Sequence, residues 1–82
     1  MKAIGTIEIE QGLVLNNPTL IIKSVQYEQF DNLVNVECYF NEEGANFTHS
    51  RTFTFNNEEG KQLVKSDIIT LVSNHEVLNV FK

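Results

Sequence analysis

Residues 33–40 and 47–55 each alternate so regularly that they can be laid against one another as an antiparallel hairpin. Val34, Val36, Cys38 and Phe40 share one side of the first stretch, and Phe47, His49, Arg51, Phe53 and Phe55 share one side of the second. Residues 41–46 connect them, with Gly44 able to take a positive φ in the turn. Symmetric closure of that loop pairs Phe40 with Phe47, Cys38 with His49, Val36 with Arg51 and Val34 with Phe53. The other face then sets Asn35 and Glu37 beside Thr52 and Ser50, polar groups suited to a wet surface. A slip of one residue would mix the two faces, so the chain is committed to an antiparallel core with a dry side and a wet side.

The remaining segments extend this hairpin. Residues 2–10 alternate Ile7 and Ile9 with Thr6, Glu8 and Glu10 and read as a strand. Gln11-Gly12 signals a turn, after which Leu13, Val14 and Leu15 form a short second strand. Pro18 interrupts the pattern and is expected to hold Asn17 extended. Residues 19–29 form the next strand, whose side bearing Ile21, Lys23, Val25 and Tyr27 continues the Val34-to-Phe40 side if the chain turns near Phe30-Asp31. After Phe55 the period changes. Asn56-Asn57 can cap a helix, with Glu58 and Glu59 at the positive end of its dipole and Val64, Ile68, Leu71 and Val72 as its apolar stripe. A shorter helix starting from Ser66 as its cap suits the residues nearly as well, because Ile68, Ile69, Thr70 and Val72 are β-branched and Gly60 weakens an early first turn. Ser73-Asn74 ends either version, leaving Val77, Leu78, Val80 and Phe81 to anchor the carboxyl end as a turn or strand.

These elements predict one α+β domain over residues 1–82: an antiparallel meander of about four to five strands with one C-terminal helix packed on one face. A small all-β barrel or sandwich with a short terminal helix is the alternative. A chain of 82 residues supports one core that removes about 60% of the unfolded surface from water.

Charge and cysteine content narrow the function classes. A net charge of −5 with six scattered Lys and Arg residues opposes nucleic-acid binding through phosphates. Cys38 is the single cysteine, so no disulfide forms within the chain. Together with a start unlike a secretory signal, it points to a reducing interior, cytoplasmic or virion-associated. No apolar run approaches the roughly 20 residues that span a bilayer, so no membrane partner is expected.

Three constellations could carry chemistry. Cys38 facing His49 would let an imidazole take a thiol proton, but neither an orienting group nor an oxyanion donor can be picked out, and a buried thiol is ordinarily a small hydrophobe. Lys23, His49 and Arg51 form a basic row on an apolar face that could receive a carboxylate or phosphate, with Arg51 as the bidentate contact. Long basic side chains more often lie along apolar surface with the charge at its rim, paired with acids such as Glu76 or Asp67. Glu8, Glu10, Glu42, Glu43, Glu58 and Glu59 lack calcium-loop spacing, and Cys38, His49 and His75 lie in separate elements, so no metal or other cofactor is expected. Asn46-Phe47-Thr48 matches a glycosylation sequon by chance, given no secretory signal.

Surfaces are the chain's main usable feature. A short helix covers only one sheet face, two edges stay exposed, and Leu33 and Tyr39 fall on the wet face beside Thr48, Thr52 and Thr54. Six phenylalanines without tryptophan supply contact anchors. In size, acidity and Asn-rich composition the chain is similar to small accessory subunits of bacteriophage heads and tails, a likeness that no motif carries and that implies assembly in rings. The expected function is a non-enzymatic structural or assembly role through protein contacts, with itself or a larger assembly. The alternative is a small-ligand or anion-binding module using Lys23, His49 and Arg51.

Overall fold

β-branched and aromatic residues at alternate positions carry five strands, and a computed structural model describes them within residues 1–60 and 62–82. β1 (Thr6–Glu10) and β2 (Leu13–Asn16) form an antiparallel hairpin about Gly12, whose φ of 86° requires a residue without a Cβ. β3 (Thr19–Glu28), β4 (Leu33–Asn41) and β5 (His49–Asn56) form an antiparallel three-stranded sheet in that order, with β4 at the centre. One helix, α1 (Lys65–Asn74), follows. The meander expected from the alternation is therefore present, split into a two-stranded and a three-stranded sheet.

The core lies against one face of β4. Val34, Val36, Cys38 and Phe40 are all fully buried. Ile9 and Leu15 of the hairpin, Leu20 of β3, Phe53 of β5, Ile68 and Val72 of α1, and Leu78 and Phe81 beyond it share that interior. Phe40 sits at its centre, edge-on to Phe53 at 6.2 Å between ring centroids and tilted against Phe81 at 5.7 Å. Each large apolar side chain so buried contributes roughly 1.5–3 kcal/mol.

The hairpin register differs from the symmetric one by two residues. Phe40 pairs with His49, Cys38 with Arg51, Val36 with Phe53 and Val34 with Phe55. A shift of two preserves both faces, so Asn35 and Glu37 still meet threonines, now Thr54 and Thr52. The cause lies in the loop. Glu42 Oε1 accepts the Asn16 amide at 2.8 Å, Glu43 Oε2 accepts from Asn17 Nδ2 at 2.7 Å, and the Glu43 amide donates to the Asn16 carbonyl at 3.2 Å. These bonds draw the loop toward the β2–β3 turn and leave Phe47 outside the strand, 59% exposed. Asn17 itself has φ 45° rather than an extended conformation, held by its amide bond to the Gly5 carbonyl at 2.8 Å and its Oδ1 on the Gly5 amide at 2.7 Å.

β3 carries a bulge at Lys23. Ile22 pairs with Cys38 and Ser24 with Glu37, so Lys23 is the extra residue. Val25 and Tyr27 keep the expected side opposite Val36 and Val34, whereas Ile21 and Lys23 lie on the other side and Leu20 and Ile22 turn to the core.

The helix is the shorter version, with Val64 at its N-cap and Ser66 inside its first turn. The Asp67 carboxylate accepts the Val64 amide at 3.3 Å. Asn56 closes β5, and Asn57 is buried in a turn where its amide donates to the Asn32 carbonyl at 2.7 Å. Ten residues make a helix marginal in isolation, so Ile68 and Val72 in the core sustain it. It ends at Asn74, and the chain turns back so that Lys2 and Lys82 exchange two backbone hydrogen bonds of 2.8 Å.

The outline is long, 39 × 20 × 19 Å, with a radius of gyration of 13.2 Å. A spherical chain of this length would give about 12 Å. The ten residues of β3 alone run roughly 33 Å, and β4 pairs with them along their whole length.

Candidate functional site

The two-residue register shift disperses the residues that sequence spacing had drawn together. Cys38 faces Arg51, not His49. Burial, reinforced by the neighbouring Glu37 carboxylate, pushes its thiol up from 9.0 to about 11, which keeps it protonated and unreactive near neutrality. His49 is half-buried opposite Phe40 with its ring edge-on to Phe47 at 5.0 Å.

The basic row does not converge. Arg51 turns toward the β1–β2 hairpin, where its Nη1 donates to the Ile9 carbonyl, its Nε lies 3.9 Å from the Glu10 carboxylate, and its guanidinium stacks over Phe53 at 4.6 Å. It therefore ties the small sheet to the large one, and its ion partner is Glu10 rather than Glu76 or Asp67. Lys23, displaced by the bulge, projects on the opposite face with its Nζ 5.8 Å from the Tyr39 ring centroid. Lys23 and Arg51 thus lie on different faces of strands separated by β4.

Four glutamates serve the framework. Glu42 and Glu43 hold the Asn16-Asn17 turn, Glu37 accepts from Ser24 at 3.2 Å, and Glu28 accepts from Asn35 at 3.2 Å. Thr54 donates to Asn35 at 2.7 Å on the same outer face. This face, on which Leu33 and Tyr39 are only half exposed, is largely a polar network. His75 packs under β5, edge-on to Phe53 at 4.9 Å and Phe55 at 5.6 Å, with its Nδ1 accepting the Val77 amide at 3.1 Å. Among the described residues no three His, Cys, Asp or Glu side chains gather as a metal site, and no helix is long and apolar enough to cross a membrane.

The concave feature that stands out lies elsewhere, along the outer edge of β3. A groove of about 640 Å³ runs between that edge and α1, with Ile22, Val25, Leu63, Ile68 and Ile69 among its apolar walls. Its two ends are closed. At one, the Leu20 amide donates to the Met1 carbonyl at 2.7 Å and the Met1 ammonium donates to the Leu20 carbonyl at 3.2 Å. At the other, the Tyr27 hydroxyl takes the Leu63 amide at 3.0 Å and donates to the Leu63 carbonyl at 3.4 Å. Between these latches, among the described residues, β3 has a strand on its β4 side only. Its open stretch, residues 21–26, is about 20 Å long. Ile21 is 55% and Ile69 39% exposed there. Lys23 and Lys65 line the groove and no carboxylate does, in a chain of net charge −5.

Sequence reasoning missed this site because it assigned Ile21 and Lys23 to the core side. The run Leu20-Ile21-Ile22 carries the missing signal: three consecutive apolar residues in a strand leave one facing away from the core. Comparison with known protein families, with curated proteins and with solved structures finds no match.

Proposed function

We propose that this chain is a non-enzymatic structural or assembly protein that works through protein–protein contact, and that its contact surface is the outer edge of β3 with the adjoining groove. One observation carries the reading. An open, partly apolar strand edge about 20 Å long lies between two hydrogen-bonded latches and beside an apolar groove. Exposed isoleucines beside backbone donors and acceptors that no neighbouring strand takes up form a template that another chain covers favourably. The buried, protonated Cys38 and the engagement of Arg51 with Ile9 and Glu10 weigh on the same side, since neither group is available for catalysis or anion capture. The likeness in size to bacteriophage accessory subunits adds nothing to the choice of partner.

Site-specific photo-crosslinking tests this. A benzophenone amino acid at position 69 in cells that make the protein is expected to give protein adducts, and the same group at Thr52 on the polar outer face is expected to give none. Adducts at Thr52 and none at position 69 would move the contact surface to the outer sheet face.

A further inference from the structure

We infer that the occupant of the β3 groove is an extended peptide segment of another protein, which adds to the sheet as a fourth strand beside β3 and carries carboxylates that Lys23 and Lys65 receive. This inference rests on the contact-surface reading above and names the chemistry of the partner.

The backbone supplies the first argument. β3 is an edge strand whose residues 21–26 run open between the Met1–Leu20 and Tyr27–Leu63 latches. An added strand fits this window with about six residues at 3.3 Å each. A helix laid along it would cover the groove but leave the edge donors and acceptors without partners, which strand addition satisfies.

The side chains supply the second. In an added strand every second residue points to the same face, so alternate apolar side chains drop between β3 and α1 onto Val25, Ile68 and Ile69. Intervening residues point outward, toward Ile21 and the bulged Lys23.

Charge supplies the third and selects the partner. The surface of an acidic chain repels acidic segments in general, yet this groove is lined by Lys23 and Lys65 with no carboxylate among its lining residues. The local field therefore favours Asp or Glu on the incoming strand, or its terminal carboxylate. A second copy of this chain fits less well. A two-fold pairing centred on the open stretch brings two Lys23 ammonium groups to its middle, and a lysine at a bulged edge is a device that opposes such pairing.

Fluorescence polarisation with the full chain and synthetic peptides tests the inference. The probes are labelled peptides of about ten residues with Val, Ile or Phe at alternate positions. One set has Asp and Glu between them and a second has Lys. Two further acidic sets carry backbone N-methyl groups on odd or on even residues. The expected result is saturable binding of the acidic set and at least tenfold weaker binding of the lysine set. Lys23→Glu/Lys65→Glu should reverse that order. One N-methyl set should lose binding and the other keep it, because only alternate amides of an added strand face β3. Equal binding of both N-methyl sets would overturn strand addition. Equal binding of acidic and lysine peptides would overturn the charge selection, and a dimer by light scattering without peptide would replace the partner with a second copy. If no peptide binds while position 69 still cross-links to protein, the partner chemistry fails and the contact surface stands; if both are silent, both fail.

Discussion

The two edges of the large sheet are built to opposite ends. β5 turns Arg51 onto the Ile9 carbonyl, sets Phe53 and Phe55 against His75, and presents Ser50, Thr52 and Thr54 to solvent. β3 turns Leu20, Ile22 and Val25 inward, yet still exposes Ile21 and opens onto a groove walled by Ile68 and Ile69. An edge strand is a hazard that folds ordinarily blunt with charge, bulges or covering elements. Among the described residues both strands have a strand on their β4 side only; the side chains of β5 are engaged or polar, while β3 keeps a bulge and Lys23 but leaves its apolar stretch accessible. The lesson is that an edge is defined by its side chains as well as its backbone: both edges lack a second strand, and only β3 sets apolar side chains and a groove beside the gap.

The largest effects should fall on the β5 side, whose side chains are engaged. Phe53→Ala removes a ring held by Phe40, Arg51 and His75, and should cost about 3–5 kcal/mol in urea or thermal unfolding. Ile21→Ala on the open edge should change stability by no more than about 0.5 kcal/mol while weakening peptide binding. If the two variants proved equally destabilised, the contrast between the edges would be lost.

Next in size is the alkaline response of Cys38. Its folded pKa is raised, so the unfolded chain loses the thiol proton first and stability falls as pH rises from 9.0 to about 11. The full shift corresponds to roughly 3 kcal/mol, and that part of the alkaline loss should be missing in Cys38→Ala when both proteins are unfolded across this range. A native thiol that reacts with iodoacetamide at pH 7 as fast as a free cysteine would contradict the buried assignment.

Arg51→Met should cost about 1–2 kcal/mol, because the Ile9 carbonyl loses its donor and the ring of Phe53 its cation. Glu10→Gln should cost less than about 0.5 kcal/mol, since that ion pair is long, at 3.9 Å, and partly exposed to solvent. A larger loss at Glu10 than at Arg51 would show that the charge pair, and not the carbonyl bond, fastens the two sheets. Tyr27→Phe should be similarly small, about 0.5 kcal/mol by melting, with broader signals for Leu63 and Ile69 as the groove's closed end loosens.

Much of the fold is legible in the chain, because the features that encode it are local. Val34, Val36, Cys38 and Phe40 alternate in sequence and are all buried on one face, and the turns at Gly12 and near Phe30-Asp31 lie where the sequence marks them. The hairpin register was not legible, since it depends on Glu42 and Glu43 bonding to Asn16 and Asn17 some 26 residues away. The bulge at Lys23 breaks a period of two that reads as unbroken in the letters, and it alone moves Ile21 and Lys23 off the core side. Asn57 looks like a helix cap and is instead part of a turn against Asn32, and the helix starts at Lys65. The groove along β3 depends on the bulge and on where the helix starts, and the fate of the Lys23, His49 and Arg51 row on the bulge and the register. The Lys23, His49 and Arg51 row dissolved, and the groove along β3 emerged where no motif marks it.

The central claim is that the open edge of β3 receives a partner while β5 does not. Amide-resolved NMR of the uniformly 15N-labelled protein, titrated with the acidic alternating peptide, tests it most directly. The account predicts shifts, and slowed hydrogen exchange, at residues 21–26 of β3 and at Ile68 and Ile69, with the amides of β5 unmoved. Shifts centred on Ser50, Thr52 and Thr54, or a spectrum unchanged at saturating peptide, would contradict it.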